Sequence, residues 1–434
     1  PGDGVSGMNG DGARPPRRRV VVTGLGMVTS LGVGWEENWA AALAGRSGAG
    51  PVTLYDPVDT DTTIACEVKD FAPGDFIERR AARRMDRFSQ LAVAAGRLAL
   101  ADAALTVAAP TATHARAIVG SGIGGLTTFV DQVILCEERG PDRVSPLFIP
   151  MIIPNMGAAH ASMELGLRGP VSCTTTACAS GNHALGDATE AIRTGRADVM
   201  LAGGAESSIV RPGVAAFNAM RALSTRNDDP AAASRPFDAG RDGFVMGEGG
   251  SLLVLESLEQ ARERGARIYC EVLGYGMTGD AHHITEPDPS GDAPARAIRM
   301  ALEDAGVSPD RVDYVNAHAT STPVGDPSEI RSLKLALGEE AAARAMISST
   351  KSMHGHCLGA AGGVEGALTV LAITEGMVPP TINLDELDPA CAGMDHVANA
   401  AREAEVRVAV STAFGFGGHN AVLVLGRLEE PSEG

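Results

Sequence analysis

Short apolar runs rich in β-branched residues alternate with longer segments in which apolar residues recur at helical spacing. In the first part of the chain these patterns predict strands at 18–22, 116–119, 199–202, 249–256 and 269–275, and helices at 90–104 and 127–138. Apolar strands separated by helices are typical of an α/β fold with a largely parallel, buried sheet. The glycines that follow Val22 predict a turn at the end of the first strand.

A similar order of elements recurs in the second part of the chain, with helices predicted at 295–305 and 364–374 and strands at 312–316, 344–348, 406–410 and 421–425. Cys178 is followed three residues later by Gly181 and a predicted helix. His356 is followed in the same way by Gly359 and a predicted helix. This weak internal repeat predicts two similar halves that face each other, with a site where loops from both halves converge.

The repeat divides the chain into three expected regions. Residues 1–16 are rich in Gly, Pro and Asp and predict a disordered N-terminal extension. Residues 17–270 form the half that contains Cys178, and residues 271–428 form the half that contains the candidate histidines described below.

Composition and charge narrow the function classes. The chain of 434 residues has 44% hydrophobic residues, a net charge of −18 and a pI near 5.0. This acidity argues against nucleic-acid binding, which needs a basic surface, so an anionic partner must dock on a local basic patch. Seven irregularly spaced cysteines and no apolar leader predict reduced thiols in a cytoplasmic protein. No stretch approaches 18 uninterrupted apolar residues, so no membrane span is predicted.

Cys178 is the candidate nucleophile. It lies between small residues where a predicted strand at Val171 leads into a predicted helix over 184–194. A thiol at a helix start lies near the positive end of the helix dipole and near unpaired N–H groups, and both favour the thiolate. A free cysteine is also often a small buried hydrophobe, so Cys178 alone does not establish catalysis.

Two loops of the second half provide candidate partners for this thiol. His318 follows a predicted buried strand, and the loop 348–356 contains Lys351, His354 and His356 ahead of a predicted helix. Ligands bind α/β sheets at loops of this kind. A cysteine can hold an acyl group covalently, and two imidazoles can donate hydrogen bonds to an enolate oxygen. The combination favours acyl transfer followed by carbon–carbon bond formation, and this chemistry needs no metal.

Other motif matches are weaker. Residues 120–125 fit G-x-G-x-x-G between a strand and a helix, which is typical of dinucleotide-binding oxidoreductases, but the carboxylates that follow lie in that helix and not after a second strand. Residues 348–351 fit S-x-x-K without the companion motifs. The pairs at 282–283 and 354–356 lack further metal-ligand spacing, so no metal site is predicted.

Five motifs resemble those of the β-ketoacyl-acyl carrier protein synthases, specifically the elongating type that resembles synthase II. They are Val-Val-Val-Thr-Gly-Leu-Gly-Met at 20–27, Thr-Ala-Cys-Ala-Ser-Gly at 176–181, Asn-Ala-His-Ala-Thr-Ser-Thr at 316–322, Lys-Ser-Met-His-Gly-His at 351–356 and Gly-Phe-Gly-Gly-His-Asn at 415–420. The resemblance extends from Arg18 to about Arg427. It implies an α/β, thiolase-like fold, with two duplicated halves in a five-layered α-β-α-β-α arrangement, and a homodimer.

The resemblance implies a role for each matching residue. Cys178 matches the acylated nucleophile, and His318 and His356 match the pair that assists decarboxylation and stabilises the enolate. Lys351 matches the lysine that supports the histidines electrostatically, and Glu365 matches the carboxylate of the same network. A structural ion pair is the alternative for Lys351.

Further residues are implied around this centre. Phe416 resembles a gating phenylalanine whose N–H forms an oxyanion hole with that of Cys178, although a core aromatic in a turn is the alternative. Ile123 and Phe217 match the wall of an acyl pocket, while on spacing alone both are ordinary core residues. Thr320, Thr322 and Gly417 match substrate-binding positions. Asp326 and Glu329 match acidic residues after the His318 loop, where solvated loop charges are an equal alternative.

The implied substrates are attached to the phosphopantetheine of acyl carrier protein, and no tightly bound cofactor is expected. Arginines spaced four apart on a predicted helix form a basic patch to which an acidic carrier protein could dock, unless the patch is simply a solvated basic face. The patch consists of Arg79, Arg80, Arg83 and Arg84, with Arg221 as a further member.

Two departures and three alternatives qualify the resemblance. His419 and Ala179 stand where Thr is common, which concerns the subtype more than the activity. A type II polyketide ketosynthase is the main alternative. A non-catalytic chain-length factor would lack the nucleophile, and a thiolase would have a second cysteine where this chain has Phe416 and glycines.

Overall fold

A computed structural model describes residues 17–69, 71–107 and 111–429. The expected extension at residues 1–16 lies outside the described residues. All seven cysteines are among the described residues, and none of them is in a disulfide. Among the described residues, no helix has the length and apolar character needed to cross a bilayer.

The elements of the chain follow the predicted alternation. The strands are β1 (Val20–Thr29), β2 (Gly32–Val33), β3 (Gly50–Pro51), β4 (Ile64–Ala65), β5 (Ala115–Gly120), β6 (Val171–Ser172), β7 (Val199–Glu206), β8 (Gly249–Ser257), β9 (Cys270–Gly279), β10 (Tyr314–Asn316), β11 (Met346–Ser348), β12 (Met377–Val378), β13 (Asp395–His396), β14 (Arg402–Glu403), β15 (Val408–Gly415) and β16 (His419–Gly426). The helices are α1 (Trp35–Leu43), α2 (Arg79–Ala82), α3 (Arg87–Asp102), α4 (Leu126–Arg139), α5 (Phe148–Ile152), α6 (Met156–Leu165), α7 (Ser180–Arg193), α8 (Arg211–Ala219), α9 (Leu258–Glu263), α10 (Asp292–Ala305), α11 (Gly325–Leu337), α12 (Glu339–Arg344), α13 (Lys351–His354) and α14 (Ala361–Glu375).

The main sheet is mixed, so the prediction of a largely parallel sheet is wrong. Its strands run in the order β13-β11-β10-β15-β16-β9-β1-β8-β7-β5-β6, and β2 pairs with β1. β5 is parallel to β6 and β7, and β10 is parallel to β11 and β15, whereas β8 and β16 are antiparallel to both of their neighbours. β16 follows β15 through a tight turn, and only antiparallel strands can be joined in that way.

The two halves of the sheet have the same topology. Each half contributes five equivalent strands when β2–β4 and β12–β14 are left out. Numbered along the chain within each half, these five strands lie in the order 1-5-4-2-3, which is β1-β8-β7-β5-β6 in the first half and β9-β16-β15-β10-β11 in the second. β1 and β9 join the halves through the antiparallel pairs Val21–Glu271 and Val22–Cys270. The weak repeat in the sequence therefore reflects a duplicated fold.

Helices cover and separate the two halves in five layers, as the resemblance implied. α3 and α6 pack outside the first half, α7 and α14 lie between the halves, and α10 and α11 pack outside the second half. α14 is buried continuously over residues 361–373 because it has a sheet on either side. This central layer explains why its sequence is apolar on every face.

β1 continues through the glycines that predicted a turn. Gly24 and Gly26 pair with β8 inside the strand, with a register shift between Val22 and Gly24. A Cβ on either glycine would overlap the backbone of α3 at Ala95 or Ala99. The glycines therefore permit close packing of α3 on β1, and the prediction of a turn is wrong.

Candidate active site

Cys178 lies in the short segment between β6 and α7, two residues before the helix begins. The preceding residue, Ala177, has a left-handed backbone with φ of 49°. Ser180 stabilises this bend because its Oγ accepts a hydrogen bond from the Thr176 N–H at 2.9 Å and donates one to the Ala177 carbonyl at 2.6 Å. Strained non-glycine backbone of this kind is common at functional sites, where neighbouring contacts maintain it.

The thiol of Cys178 is paired with a histidine from the other half of the fold. Its Sγ lies 3.0 Å from Nε2 of His356. The ring of His318 packs edge-on to that of His356, with 5.4 Å between the ring centroids. The predicted convergence of loops from both halves is thus present as a cysteine and two histidines in contact.

These residues share one cavity of about 480 Å³. Most of the sequence-predicted site residues line it, namely Cys178, His318, His356, Ile123, Phe217, Thr320, Thr322, Phe416 and Arg221. Lys351, Glu365 and Gly417 are not among its lining residues. The cavity therefore combines reactive groups with an apolar wall near Ile123 and hydroxyl groups near Thr320.

Both histidines are held in the neutral state. Burial lowers the pKa of His318 and of His356 well below the usual range, and the nearby positive charge of Lys351 lowers both further. A neutral imidazole has one N–H and can donate one hydrogen bond. The pair can therefore provide two donors to an oxygen in the cavity.

The protonation state of Cys178 differs from the prediction. Burial of the thiol, which is 7% exposed, raises its pKa to about 12, although Lys351 and the N–H of Phe416 act in the opposite direction. The nearby donors act in the expected direction, but desolvation of the thiol outweighs them, so the net shift opposes the thiolate. His356, at hydrogen-bond distance, is the group positioned to accept the thiol proton.

Lys351 and Glu365 form a buried ion pair beside the cavity. Lys351 begins α13 and is 1% exposed, and Glu365 lies on α14 and is fully buried. Burial raises the pKa of Glu365 to about 7, while Lys351 acts to lower it. Because the lysine also lowers the pKa values of both histidines, it affects the site electrostatically without lining it.

The turn between β15 and β16 places Phe416 at the cavity. Its ring centroid lies 6.4 Å from that of Phe217, and its N–H is near enough to the thiol of Cys178 to act to lower the pKa of that thiol. The next two residues, Gly417 and Gly418, have φ of 84° and 75°, which side-chain-bearing residues rarely adopt. Phe416 is only partly buried, unlike the core aromatic considered from the sequence.

The acidic residues after His318 are buried, so their interpretation as solvated loop charges is wrong. Glu329 accepts hydrogen bonds from the N–H groups of His318 at 2.9 Å and Ala319 at 2.6 Å. Asp326 accepts one from the N–H of Phe237 at 2.9 Å. Burial raises the pKa of Glu329, and it raises that of Asp326 to about 7. These carboxylates fix the loop that carries His318.

Glu206 is a site residue that the sequence analysis missed. It ends β7, is fully buried, and accepts hydrogen bonds from Gly122 N–H at 2.6 Å and Gly124 N–H at 3.3 Å. The N–H groups of the G-x-G-x-x-G segment therefore point at an internal carboxylate, which opposes the dinucleotide interpretation. The sequence feature that could have indicated Glu206 is a carboxylate at the end of an otherwise apolar strand.

The predicted basic patch lies on a shorter helix than expected. α2 has only four residues because Arg83 ends it, and α3 begins at Arg87. Arg79, Arg80, Arg83 and Arg84 are all exposed. Arg221, also exposed, lines the cavity itself.

The chain matches known proteins over nearly its whole length. Residues 17–261 match the Beta-ketoacyl synthase, N-terminal domain, and residues 269–385 match the Beta-ketoacyl synthase, C-terminal domain. A 3-oxoacyl-[acyl-carrier-protein] synthase 2 of Synechocystis sp. is 49% identical over 94% of this chain and 97% of its own length. The synthase of the same name from Staphylococcus aureus strain COL is 47% identical over 95% and 99%.

Solved structures agree with this assignment. The ishigamide ketosynthase/chain length factor is 40% identical with a TM-score of 0.89, and a type II polyketide ketosynthase in complex with its acyl-carrier protein is 34% identical with a TM-score of 0.86. Each comparison covers 95% of this chain and 100% of the other. Together with the duplicated topology and the Cys-His-His cavity, these matches show that the chain belongs to the β-ketoacyl synthase family.

Proposed function

We propose that this protein condenses an acyl group with malonyl-acyl carrier protein to give β-ketoacyl-acyl carrier protein and CO2 in fatty acid elongation. The observation that supports this most directly is the 3.0 Å contact between the thiol of Cys178 and His356, with His318 beside it in one cavity. A thiol alone would suit many acyl transfers. Two neutral imidazoles beside it suit a reaction that also generates an enolate.

The first half-reaction transfers the acyl group to the enzyme. The sulfur of Cys178 attacks the thioester carbonyl while His356 takes the thiol proton, the bond to the phosphopantetheine sulfur breaks, and that thiol leaves protonated. The N–H groups of Cys178 and Phe416 already face the sulfur. They are therefore placed to stabilise the oxyanion that forms on the carbonyl next to it.

The second half-reaction forms the carbon–carbon bond. Malonyl-acyl carrier protein loses CO2, and the enolate oxygen receives hydrogen bonds from His318 and His356, where His356 is in the tautomer protonated on Nε2 and not the one that accepts the thiol proton. The enolate carbon then attacks the acyl carbonyl, the bond between the carbonyl carbon and the sulfur of Cys178 breaks, and the released thiolate takes up one proton from solvent. Lys351 contributes by keeping both imidazoles neutral, as the direction of their pKa shifts requires.

An acyl pocket extends from the thiol towards the first half of the fold. Ile123 and Phe217 line the same cavity as Cys178, and Ile123 is 38% exposed within the single chain. Thr320 and Thr322 line the opposite loop, where their hydroxyl groups lie 3.2 Å apart. We assign the apolar wall to the acyl chain, and we assign the hydroxyl groups and Gly417 to the phosphopantetheine arm.

The exposed arginines support docking of an acidic carrier protein. Arg80 and Arg84 are exposed, and although both act electrostatically on the carboxylate of Glu78, the four arginines outnumber it and leave a net positive patch on an otherwise acidic protein. The related polyketide ketosynthase was solved with its acyl-carrier protein. Arg221, at the cavity rim, would guide the arm inward.

A homodimer is supported by an apolar face on the first half. Phe129, Val133 and Ile134 of α4 are each more than 40% exposed, and Ile149 of α5 is 59% exposed. The nearby edge strand β6 is also exposed, so it can pair with another strand. Apolar surface of this kind marks a protein interface. Native mass spectrometry of the chain expressed alone distinguishes a self-association from a requirement for a chain-length-factor partner.

A type II polyketide ketosynthase is the alternative, but the identity to the solved protein of that class is 34%, which is lower than the 47–49% identity to the 3-oxoacyl synthases. The test incubates the enzyme with fatty acyl-carrier proteins of increasing length and with polyketide-type acyl carriers, and measures intact mass. One acyl mass at Cys178, absent from Cys178→Ala, is expected with fatty acyl donors. Labelling at another cysteine contradicts the mechanism, and exclusive use of polyketide acyl groups supports the alternative.

A further inference from the structure

Glu206 is a fully buried carboxylate without a cationic partner among the described residues. Burial raises the pKa of Glu206 to about 7, and the hydrogen-bond donors that act to lower it come from two separate parts of the chain. An isolated buried carboxylate is costly, so its retention in a protein needs a reason. The positions of its donors suggest that reason.

The first group of donors belongs to the loop between β5 and α4. Ser121 donates its hydroxyl to Oε1 of Glu206 at 3.1 Å, and the N–H groups of Gly122 and Ile123 donate to Oε2 at 2.6 and 3.2 Å. The N–H of Gly124 donates to Oε1 at 3.3 Å. One carboxylate therefore determines the conformation of the loop that presents Ile123 to the cavity.

The second donor belongs to the segment that follows His356 in the other half of the fold. The N–H of Gly359 donates to Oε2 of Glu206 at 3.2 Å. The preceding residue, Leu358, lines the cavity and has a left-handed backbone with φ of 48°. Such a backbone is maintained only by surrounding contacts, and the bond from Gly359 is one of them.

The two segments also touch each other directly. A Cβ on Gly359 would overlap the backbone N of Gly122 and come within 2.7 Å of Oε2 of Glu206. Glycine at position 359 therefore permits this close approach, and the Glu206 carboxylate ties the two segments together beside their contact by accepting an N–H from each.

We infer that Glu206 is a positioning residue for the condensation, which holds the acyl-pocket loop at Ile123 and the segment after His356 in one fixed arrangement. This inference rests on the proposed function, since it concerns the two half-reactions of that site. Glu206 does not line the cavity, so it acts through the segments that do. Its loss should therefore impair acylation and decarboxylation together.

The test compares Glu206→Gln with Asp102→Asn as a matched control. An amide NH2 group cannot accept hydrogen bonds. The Gln side chain therefore loses the hydrogen bonds made to one of the two carboxylate oxygens, whichever way the amide is oriented. Asp102 likewise accepts a backbone N–H, from Leu25 at 2.7 Å, but its hydrogen-bond partners do not belong to the segments that border the cavity. Glu206→Gln should slow both Cys178 acylation and primer-free malonyl decarboxylation by about 10- to 100-fold, the scale expected for sub-ångström to 1 Å misplacement. The control should lower Tm without changing the two rates.

Each result has a defined meaning. Wild-type rates in folded Glu206→Gln, or loss of only one half-reaction, would overturn the inference. If Glu206→Gln does not fold, Ser121→Ala removes a single donor to the same carboxylate, and a smaller fall in both rates is expected, whereas unchanged rates would overturn the inference. Failure of the wild-type protein to acylate Cys178 or to decarboxylate malonyl-carrier protein would instead contradict the proposed function.

Discussion

Removal of the Lys351 charge should destabilise the fold and shift the pH dependence of catalysis. Lys351 is 1% exposed and Glu365 is fully buried, so solvent does not screen their ion pair. Breaking such a pair by removing one partner costs about 3–5 kcal/mol. Lys351→Met should therefore lower the free energy of unfolding by that amount when Glu365 stays ionised. Lys351→Met/Glu365→Leu should recover most of the loss, because no unpaired charge remains.

The cost should depend on pH in a defined direction. Burial already raises the pKa of Glu365 to about 7, and loss of Lys351 removes the charge that opposes this shift. In the variant, the native carboxyl keeps its proton at a pH where the unfolded chain has released it. Unfolding then releases a proton, so stability falls as pH rises above the unfolded pKa of about 4.5, with a slope of up to about 1.4 kcal/mol per pH unit. The destabilisation should be larger at pH 8.5 than at pH 6.

Guanidinium unfolding at both pH values measures the stability, and primer-free malonyl decarboxylation across pH measures the role in catalysis. Without Lys351 the pKa values of His318 and His356 should rise, so the acid limb of the activity profile should move to higher pH even in the double variant. Equal stability of the single and double variants would refute the buried-charge argument. A double variant with the wild-type pH profile would refute the electrostatic role and leave Lys351 as a structural residue.

Three further predictions concern the cavity and its entrance. Gly415→Ala should reduce the rate of acylation about 10-fold or more, since a Cβ there would lie 2.6 Å from a backbone oxygen beside the nucleophile. Acylation measured in quenched time courses tests this. Gly74→Ala is the control that should be unaffected, because the space around Gly74 is open. Ile123→Trp should fill the acyl wall and limit products to shorter chains in a mass-spectrometric panel, and unchanged product lengths would place the chain elsewhere. Arg80→Glu with Arg84→Glu should raise KM for carrier-bound substrate several-fold with little change in kcat, and the effect should shrink at high salt; an unchanged KM would remove the docking site.

The reactive residues were predictable because each lies in a short local pattern. Cys178 precedes a helix, and His318 and His356 occupy loops after apolar strands, so strand and helix periodicity located all three. Their charge states were not predictable, because the pKa of Cys178 depends on burial by residues distant in sequence. Glu206 was missed for the same reason, since its donor Gly359 is 153 residues away.

The sheet was predicted less well than the site. Apolar strands buried on both faces look alike whether their neighbours are parallel or antiparallel, so the sequence did not reveal that β8 and β16 run against both neighbours. The glycines of β1 were interpreted as a turn because close packing of α3 on Gly24 and Gly26 is a tertiary contact. Local composition could not distinguish these two uses of glycine.

The duplicated fold explains how the thiol and the imidazole meet. Cys178 and His356 lie at equivalent places in the two halves, each shortly before one of the two central helices, α7 and α14. These helices cross at glycines, because a Cβ on Gly181 would lie 2.7 Å from the backbone N of Gly363. A side chain at this crossing would force the helix starts apart and lengthen the 3.0 Å contact between Sγ and Nε2. Gly181, which lies three residues after Cys178 and belongs to the weak sequence repeat, is thus a condition for the nucleophile and its partner to touch.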